Sequence, residues 1–240
     1  MGLRNIIRNL SRDKGVFISV EGTDGSGKRT QIEKLIERLE KEGYVNLKLS
    51  DFPQYGQSSA YEVEEFLRGN REEGEGLVDV LKITNYFAKD RRAAGPMLHD
   101  WLNKGNIILS NRYIDSNKAF QGARINSNFL TSIYHSFVNF LEYTVYDIPR
   151  KDLTLLLDVT PEISQALVDK KGDREYVGGN KRDKNEEDLG LQRRTRDTYL
   201  KLAEKENWIL IDCMQEGKLL GPDIIADKIY SEIKPYLPEP

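Results

Sequence analysis

Residues 16–41 read VFISVEGTDGSGKRTQIEKLIERLEK, and this stretch decides the fold. Val16 to Glu21 is a short run rich in apolar and β-branched residues, the composition of a buried strand. From Thr30 to Lys41, Ile32, Leu35, Ile36 and Leu39 recur at helical spacing, and glutamates and cationic residues fill the opposite face. Gly22-Thr23-Asp24-Gly25-Ser26-Gly27-Lys28 joins the strand directly to the helix, which is the context a phosphate-binding loop requires. The glycines let backbone amides curl around an oxyanion, the helix N-terminus adds a favourable dipole, and Lys28 supplies charge. A nucleotide-phosphate site is therefore expected over Gly22, Thr23, Asp24, Gly25, Ser26, Gly27, Lys28, Arg29 and Thr30. Arg29 stands where a magnesium-ligating hydroxyl usually follows the lysine, with Thr30 one place later. Magnesium is thus expected to reach the protein through Asp24 or through waters.

The same alternation continues outward. Further strands are expected at Val45 to Ser50, Asn106 to Ser110, Leu153 to Asp158 and Trp208 to Asp212. Helical patterns separate them at Leu77 to Ala94, Asn128 to Tyr146 and Asp188 to Glu206, the last burying Leu191, Tyr199 and Leu202. Strands alternating with longer amphipathic segments predict an α/β fold, a five-stranded parallel sheet flanked by helices. No repeat or low-complexity linker divides residues 16–240, which read as one domain. Asp51 to Ser59 and a Gly-, Lys- and Arg-rich stretch at about 170–186 read as binding loops, the second as a mobile lid.

Composition narrows the function. Over 240 residues, 36 Lys and Arg against 39 Asp and Glu give a net charge of -3, which argues against a general nucleic-acid binder. No apolar run approaches the roughly 20 residues of a membrane span. The single cysteine, Cys213, cannot form an intrachain disulfide, and with two histidines leaves little for a zinc site, so a reducing, cytoplasmic location is expected. Residues 1–15 form an Arg-rich, acid-poor amphipathic extension, expected to be an added helix or tail rather than a transit peptide.

A guanine-nucleotide switch is one way to use such a loop, and Asn180-Lys181-Arg182-Asp183 carries the letters of a guanine-reading element. It lies in a glycine- and lysine-rich loop with no strand before it. Asp169-Lys170-Lys171-Gly172 lies too close to leave room for a strand and helix between them. Other landmarks fall into a consistent order instead. Glu21 to Lys28, then Asp51-Phe52-Pro53-Gln54-Tyr55-Gly56 with Tyr61 to Gly69, Phe87-Ala88-Lys89-Asp90-Arg91, Asn111-Arg112-Tyr113 with Ser116-Asn117, and Asp183 to Ala203 together resemble the thymidylate kinase family of P-loop nucleoside monophosphate kinases.

That resemblance implies a homodimeric, magnesium-dependent enzyme that moves the γ-phosphoryl of ATP onto dTMP, giving dTDP and ADP. It implies that Lys28 and the amides of Gly25 to Thr30 hold the ATP phosphates, with Asp24 near the acceptor sugar or the metal. It further implies that Phe52, Pro53 and Phe87 wall the thymine, Phe87 by stacking, that Arg91 contacts the base or phosphate side and Asn117 the base edge, with Phe120 and Gln121 alongside, and that Arg112 meets the acceptor phosphate. Lys28, Arg112, Arg174 and Arg182 are the expected catalytic cations. Because Gly25 stands where some members carry an arginine, the transition-state charge is expected from Arg174 or Arg182 in the lid. Arg29, Asn111 in place of the usual Asp, Phe120 in place of Tyr and Asn185 in place of His or Tyr depart from the family pattern.

The chemistry is compatible with a phosphate acceptor. Its second pKa is near ~6, so the attacking oxygen is already ionised at neutral pH and no general base is needed. A deoxynucleoside kinase or another nucleoside monophosphate kinase stays open as an alternative. A nucleoside acceptor would need a base, for which Glu21 is the candidate. A nucleotide-binding protein without turnover is the third reading.

Overall fold

The computed structural model describes residues 15–71, 76–169 and 184–240. The lid arginines Arg174 and Arg182, most of the 170–186 stretch, and all of the N-terminal extension but Gly15 lie outside the described residues. Five parallel strands, β1 (Val16–Glu21), β2 (Leu47–Asp51), β3 (Ile107–Asn111), β4 (Leu153–Asp158) and β5 (Ile209–Asp212), line up in the order β2-β3-β1-β4-β5. The order reverses at β1, whose neighbours are β3 and β4. In open α/β sheets such a reversal opens a crevice at the C-terminal strand ends, and the Gly22–Lys28 loop leaves β1 there.

Alternation along each strand sorts side chains to two faces. Ile18 and Val20, with Leu109, Leu155 and Leu157, pack against Ile32, Leu35 and Leu39 of the Lys28–Lys41 helix and against Ile225, Ile229 and Ile233 of the Pro222–Ile233 helix. Phe17 and Ile108 face the other way, onto Ala94 and Leu98 of the Leu77–Asn103 helix, Ile114 of the Ile114–Gly122 helix, and Tyr134 and Val138 of the Asn128–Phe140 helix. Tyr199 and Leu202 of the Leu189–Glu206 helix pack on Leu156, Ala119 and Phe120. Each such buried aliphatic side chain contributes roughly 1.5–3 kcal/mol relative to exposure. Glu21 falls on the same face as Phe17, which aims its carboxylate into the protein beneath the site.

Four expected boundaries move. The helix expected to stop at Ala94 runs to Asn103 through Pro96. The proline removes one backbone hydrogen bond, but burial of Leu98 and packing of Trp101 and Leu102 hold the next turns to the core. The helix expected over Asn128 to Tyr146 is α-helical to Phe140, then widens into a π turn over Leu141–Val145. That turn places Glu142 in the interior, where it is fully buried. Strands β2 and β3 both end one residue later than expected, so Asp51 and Asn111 stand opposite one another in the ladder.

The Asn128–Phe140 helix also holds the half-buried His135, whose Nε2 donates to the Lys118 carbonyl at 3.1 Å. Burial pushes its imidazole down to about 4, with the Lys118 hydrogen bond opposing. Between about pH 6.5 and 4 the unfolded chain therefore binds a proton that the folded chain refuses, so this residue subtracts stability as pH falls through that window. His135→Gln, neutral and able to donate to the same carbonyl, is expected to flatten that part of the stability profile. Urea denaturation at pH 7 and pH 4.5 checks it, and identical slopes for the two proteins would show the ring to titrate freely.

Candidate active site

The phosphate loop is built on positive φ. Gly25 has φ 79°, and a Cβ there would come within 2.0 Å of the Ser164 carbonyl oxygen, so no side chain fits. Gly27, at φ 83°, ends the loop as the residue preceding the Lys28–Lys41 helix. Lys28 is buried, and its ammonium donates to the carbonyls of Gly22 (3.0 Å) and Thr23 (2.8 Å) and to Ser26 Oγ (3.3 Å). These oxygens hold the ammonium at the heart of the loop. Arg29 and Thr30 are exposed, Arg29 pairing with Glu33 along its own helix at 3.0 Å.

Beside the loop, Arg112 adopts φ 67°, a left-handed conformation that costs a non-glycine residue about 1–3 kcal/mol. Neighbours over-determine it. Arg112 N donates to Val20 O (3.0 Å), Ser110 Oγ donates to Arg112 O (2.6 Å), and Tyr113 N donates to Glu21 Oε1 (2.7 Å). Glu21 Oε2 accepts from Ser116 Oγ (2.7 Å) and Tyr199 OH (2.9 Å). Because those hydroxyls spend their protons on Glu21, their lone pairs face Arg112 Nη1, at 3.0 and 3.4 Å. Arg112 also reaches Gly22 O (3.1 Å) and pairs with Asp24 through Nη2 at 2.5 Å. The second oxygen of Asp24 accepts from Gln192 at 3.0 Å. Burial works to raise the Asp24 pKa, but Arg112 and Lys28 outweigh it and hold the carboxyl below its usual range.

A cleft of about 460 Å³, open to solvent, runs from Asp24 and Arg112 to Phe87 and Arg91. It brings together Asp24, Phe52, Pro53, Phe87, Arg91, Arg112, Asn117, Phe120 and Gln121, all of the acceptor residues expected from the sequence. Asp90 ties two walls together by accepting from Gln54 N (2.9 Å) and Ser59 Oγ (2.7 Å), which docks the Phe52-Pro53-Gln54 turn on the Leu77–Asn103 helix. Phe66 meets Phe87 edge to face at 6.3 Å and steadies its ring. At the floor, Arg91 makes a buried two-point pair with Glu142, Nε to Oε2 at 2.5 Å and Nη2 to Oε1 at 2.7 Å. Asn117 donates to Thr84 O and to Glu142, yet its Oδ1, like Gln121 Oε1, is buried without a partner among the described residues. Leaving a buried acceptor unpaired costs about 1–3 kcal/mol, which a ligand's donor would relieve.

Asp51 and Asn111 form the outer edge of the phosphate side. Asn111 Nδ2 donates to Asp51 Oδ1 at 2.8 Å. Burial raises the Asp51 pKa against the lowering effects of Asn111, Arg29, Arg112 and Lys28. Asn111 Oδ1 is buried and without a partner among the described residues. No group of three or more His, Cys, Asp or Glu among the described residues could cage a metal. The oxygens at hand suit a magnesium ion that arrives with the nucleotide's phosphates and keeps most of its water.

Glu142, Asp90 and Gln192 are not among the site residues expected from the sequence. Asp90 stands on an otherwise apolar helical stripe with Ile83, Tyr86, Phe87 and Ala94, a weak signal, whereas Gln192 lies among polar helical neighbours and carries none. Tyr199 was expected only as core, whereas its hydroxyl belongs to the network that carries Arg112.

The comparisons with known proteins agree with this geometry. The family model for thymidylate kinase matches residues 20–224. The thymidylate kinase of Mycobacterium tuberculosis is 31% identical over 218 residues, spanning 87% of this chain and 99% of the relative. A probable thymidylate kinase of Pyrobaculum aerophilum is 30% identical, spanning 87% and 93%. The solved thymidylate kinase of Candida albicans, only 20% identical, shares the fold with a TM-score of 0.69 over 93% of this chain and 92% of its own. A loop, cleft and strand order of this kind, matched across nearly the whole chain, place it in the thymidylate kinase family.

Proposed function

We propose that this chain transfers the γ-phosphoryl of ATP to dTMP, yielding dTDP and ADP. The observation that carries this reading is the pair of orphaned acceptors, Asn117 Oδ1 and Gln121 Oε1, beside the buried Arg91. Thymine offers one donor, N3–H, and a carbonyl at O4, so an amide oxygen and a guanidinium facing its edge complement it. Cytosine presents the reverse, an unprotonated N3 and an exocyclic amine, and would set acceptor against acceptor. Phe87 supplies a half-buried face for stacking.

In this reading the acceptor phosphate lies against Arg112, whose strained backbone aims the guanidinium between the cleft and the Gly22 carbonyl. ATP phosphates take the loop amides, and Lys28 exchanges loop oxygens for phosphate oxygens. Bringing two mutually repelling phosphates into line is the main task, and the cations accomplish it by position and charge. Magnesium bound with ATP neutralises part of the phosphate charge. Arg174 and Arg182 remain the transition-state cations assigned on sequence grounds, and a cytoplasmic location stays part of the proposal. Glu21, already accepting three hydrogen bonds, acts on Arg112 rather than as a base.

The homodimer belongs to the same proposal. Phe129, Ile133, Phe137 and Phe140 recur along one side of the Asn128–Phe140 helix with 74%, 52%, 39% and 57% of their surfaces exposed, an apolar stripe suited to a second copy of the chain. No helix among the described residues is long and apolar enough to cross a membrane.

Four outcomes test these assignments. With ATP and magnesium, a panel of dTMP, dUMP, dCMP, dGMP and thymidine is expected to show dTMP as the preferred acceptor, and folded Lys28→Ala to retain under a tenth of wild-type kcat; preference for thymidine would favour the nucleoside-kinase alternative. Glu21→Gln is expected to lower kcat/KM for dTMP about tenfold, a loss of roughly 1.4 kcal/mol, while KM for ATP and the pH profile from 7 to 9 stay unchanged. A base role would instead appear as a loss of ~10²–10⁴-fold with an altered pH profile. By analytical ultracentrifugation, wild type is expected as a dimer and Phe137→Glu as a monomer, and a monomeric wild type would refute the pairing.

A further inference from the structure

Three carboxylates lie at or beneath the phosphate loop, and they are not equivalent. Glu21 accepts from Tyr113 N, Ser116 and Tyr199, and Asp24 divides its oxygens between Arg112 and Gln192. Asp51 is different. Its Oδ1 accepts from Asn111, while Oδ2 has Arg29 only at 4.0 Å, and the side chain is 39% exposed. Arg29 is itself 72% exposed and hydrogen-bonded to Glu33, so its hold on Asp51 is weak and solvent-screened.

The register explains why the charge sits on the outer strand. Asp51 and Asn111 are direct partners across β2 and β3, and Asn111 in turn faces Val20 of β1, so Asp51 stands one strand farther out. A carboxylate at both positions would put two negative charges at hydrogen-bond distance. A carboxylate at one and a carboxamide at the other gives an attractive contact that fixes Asp51 in one orientation. The amide that donates through Nδ2 also turns Oδ1 to a place where it finds no partner among the described residues. Asp51 Oδ2 is therefore the charged acceptor oxygen left at this sheet edge, held in place by the Asn111 amide and only distantly by Arg29.

We propose that Asp51 is the carboxylate that receives the water shell of the magnesium bound with ATP, and that Asn111 is the positioning residue that aims it. The assignment rests on the kinase reading of the site. It moves the metal-facing charge from Asp24, whose oxygens are held by Arg112 and Gln192, to a residue whose second oxygen has only the distant Arg29 beside it among the described residues. Magnesium usually keeps several waters and takes few protein ligands, which matches a single half-exposed carboxylate oxygen and no carboxylate cage among the described residues. Arg29 then serves as an exchangeable counter-ion that leaves Asp51 when a divalent cation arrives.

The test measures metal binding without turnover. Mn²⁺ is titrated by electron paramagnetic resonance into the ADP-saturated protein, and ADP affinity is measured separately by calorimetry in EDTA. Asp51→Asn is expected to weaken Mn²⁺ binding to the ADP complex about tenfold and to leave metal-free ADP affinity within twofold. The exchange variant Asp51→Asn with Asn111→Asp, which returns one carboxylate to the pair, is expected to recover most of the loss. Unchanged Mn²⁺ affinity in Asp51→Asn would overturn the proposal, as would an equal loss of ADP affinity in EDTA. Failure of the exchange variant to recover, in a protein with wild-type circular dichroism, would overturn the pairing with Asn111. A wild-type chain that binds no ADP in EDTA would instead remove the kinase reading beneath it.

Discussion

The site depends on one buried carboxylate, Glu21, at the last position of the central strand. An isolated charge in a protein interior is costly, and this one is stabilised by three short hydrogen bonds from a backbone amide and two hydroxyls. Those donors belong to the residue after Arg112, the Ile114–Gly122 helix and the Leu189–Glu206 helix. Glu21 therefore locks two separate segments to β1, the start of the Ile114–Gly122 helix and the Leu189–Glu206 helix. It also fixes the direction of each hydroxyl proton, and so presents lone pairs to a guanidinium whose backbone would otherwise relax out of its left-handed conformation.

The charged groups at the mouth of the cleft are arranged in pairs of unequal strength. Arg91 with Glu142 is buried and makes two hydrogen bonds, so it acts as a fixed platform. Arg112 with Asp24 is partly exposed, at 14% and 20%, and can be remodelled by an incoming phosphate. Arg29 with Asp51 is barely a contact. Rigidity thus decreases from the proposed base-reading end toward the phosphate end, where groups must exchange partners. Removing one member of the buried pair would leave an uncompensated charge, a cost of about 3–5 kcal/mol, which explains why the floor of the cleft is the least negotiable part of it.

Much of this was legible in the sequence because a parallel sheet buried on both faces writes itself as unbroken apolar runs. Val16–Glu21 and Leu153–Asp158 end where their composition says they should. The edge strand is harder to read. Lys48 and Leu49 of β2 are exposed, so the pattern there carries little core information and the strand begins later than Val45. Pro96 misleads because local propensity argues for a stop and tertiary packing overrides it. The phosphate loop and the cleft walls were readable from residue type and spacing. Glu142, Gln192 and Asp90 were not, since their importance lies in partners 51, 168 and 36 residues away in the chain.

The contact from Arg112 to the Gly22 carbonyl joins the acceptor side to the loop proposed to hold the donor. A ligand that draws the guanidinium toward itself must loosen that contact and change the conformational freedom of the loop. Thermodynamic linkage then makes the effect mutual: whatever factor the first ligand imposes on the affinity of the second, the second returns to the first. The two subsites are in this sense one cooperative unit, and an inhibitor that captures Arg112 would also reshape the neighbouring half of the site without occupying it.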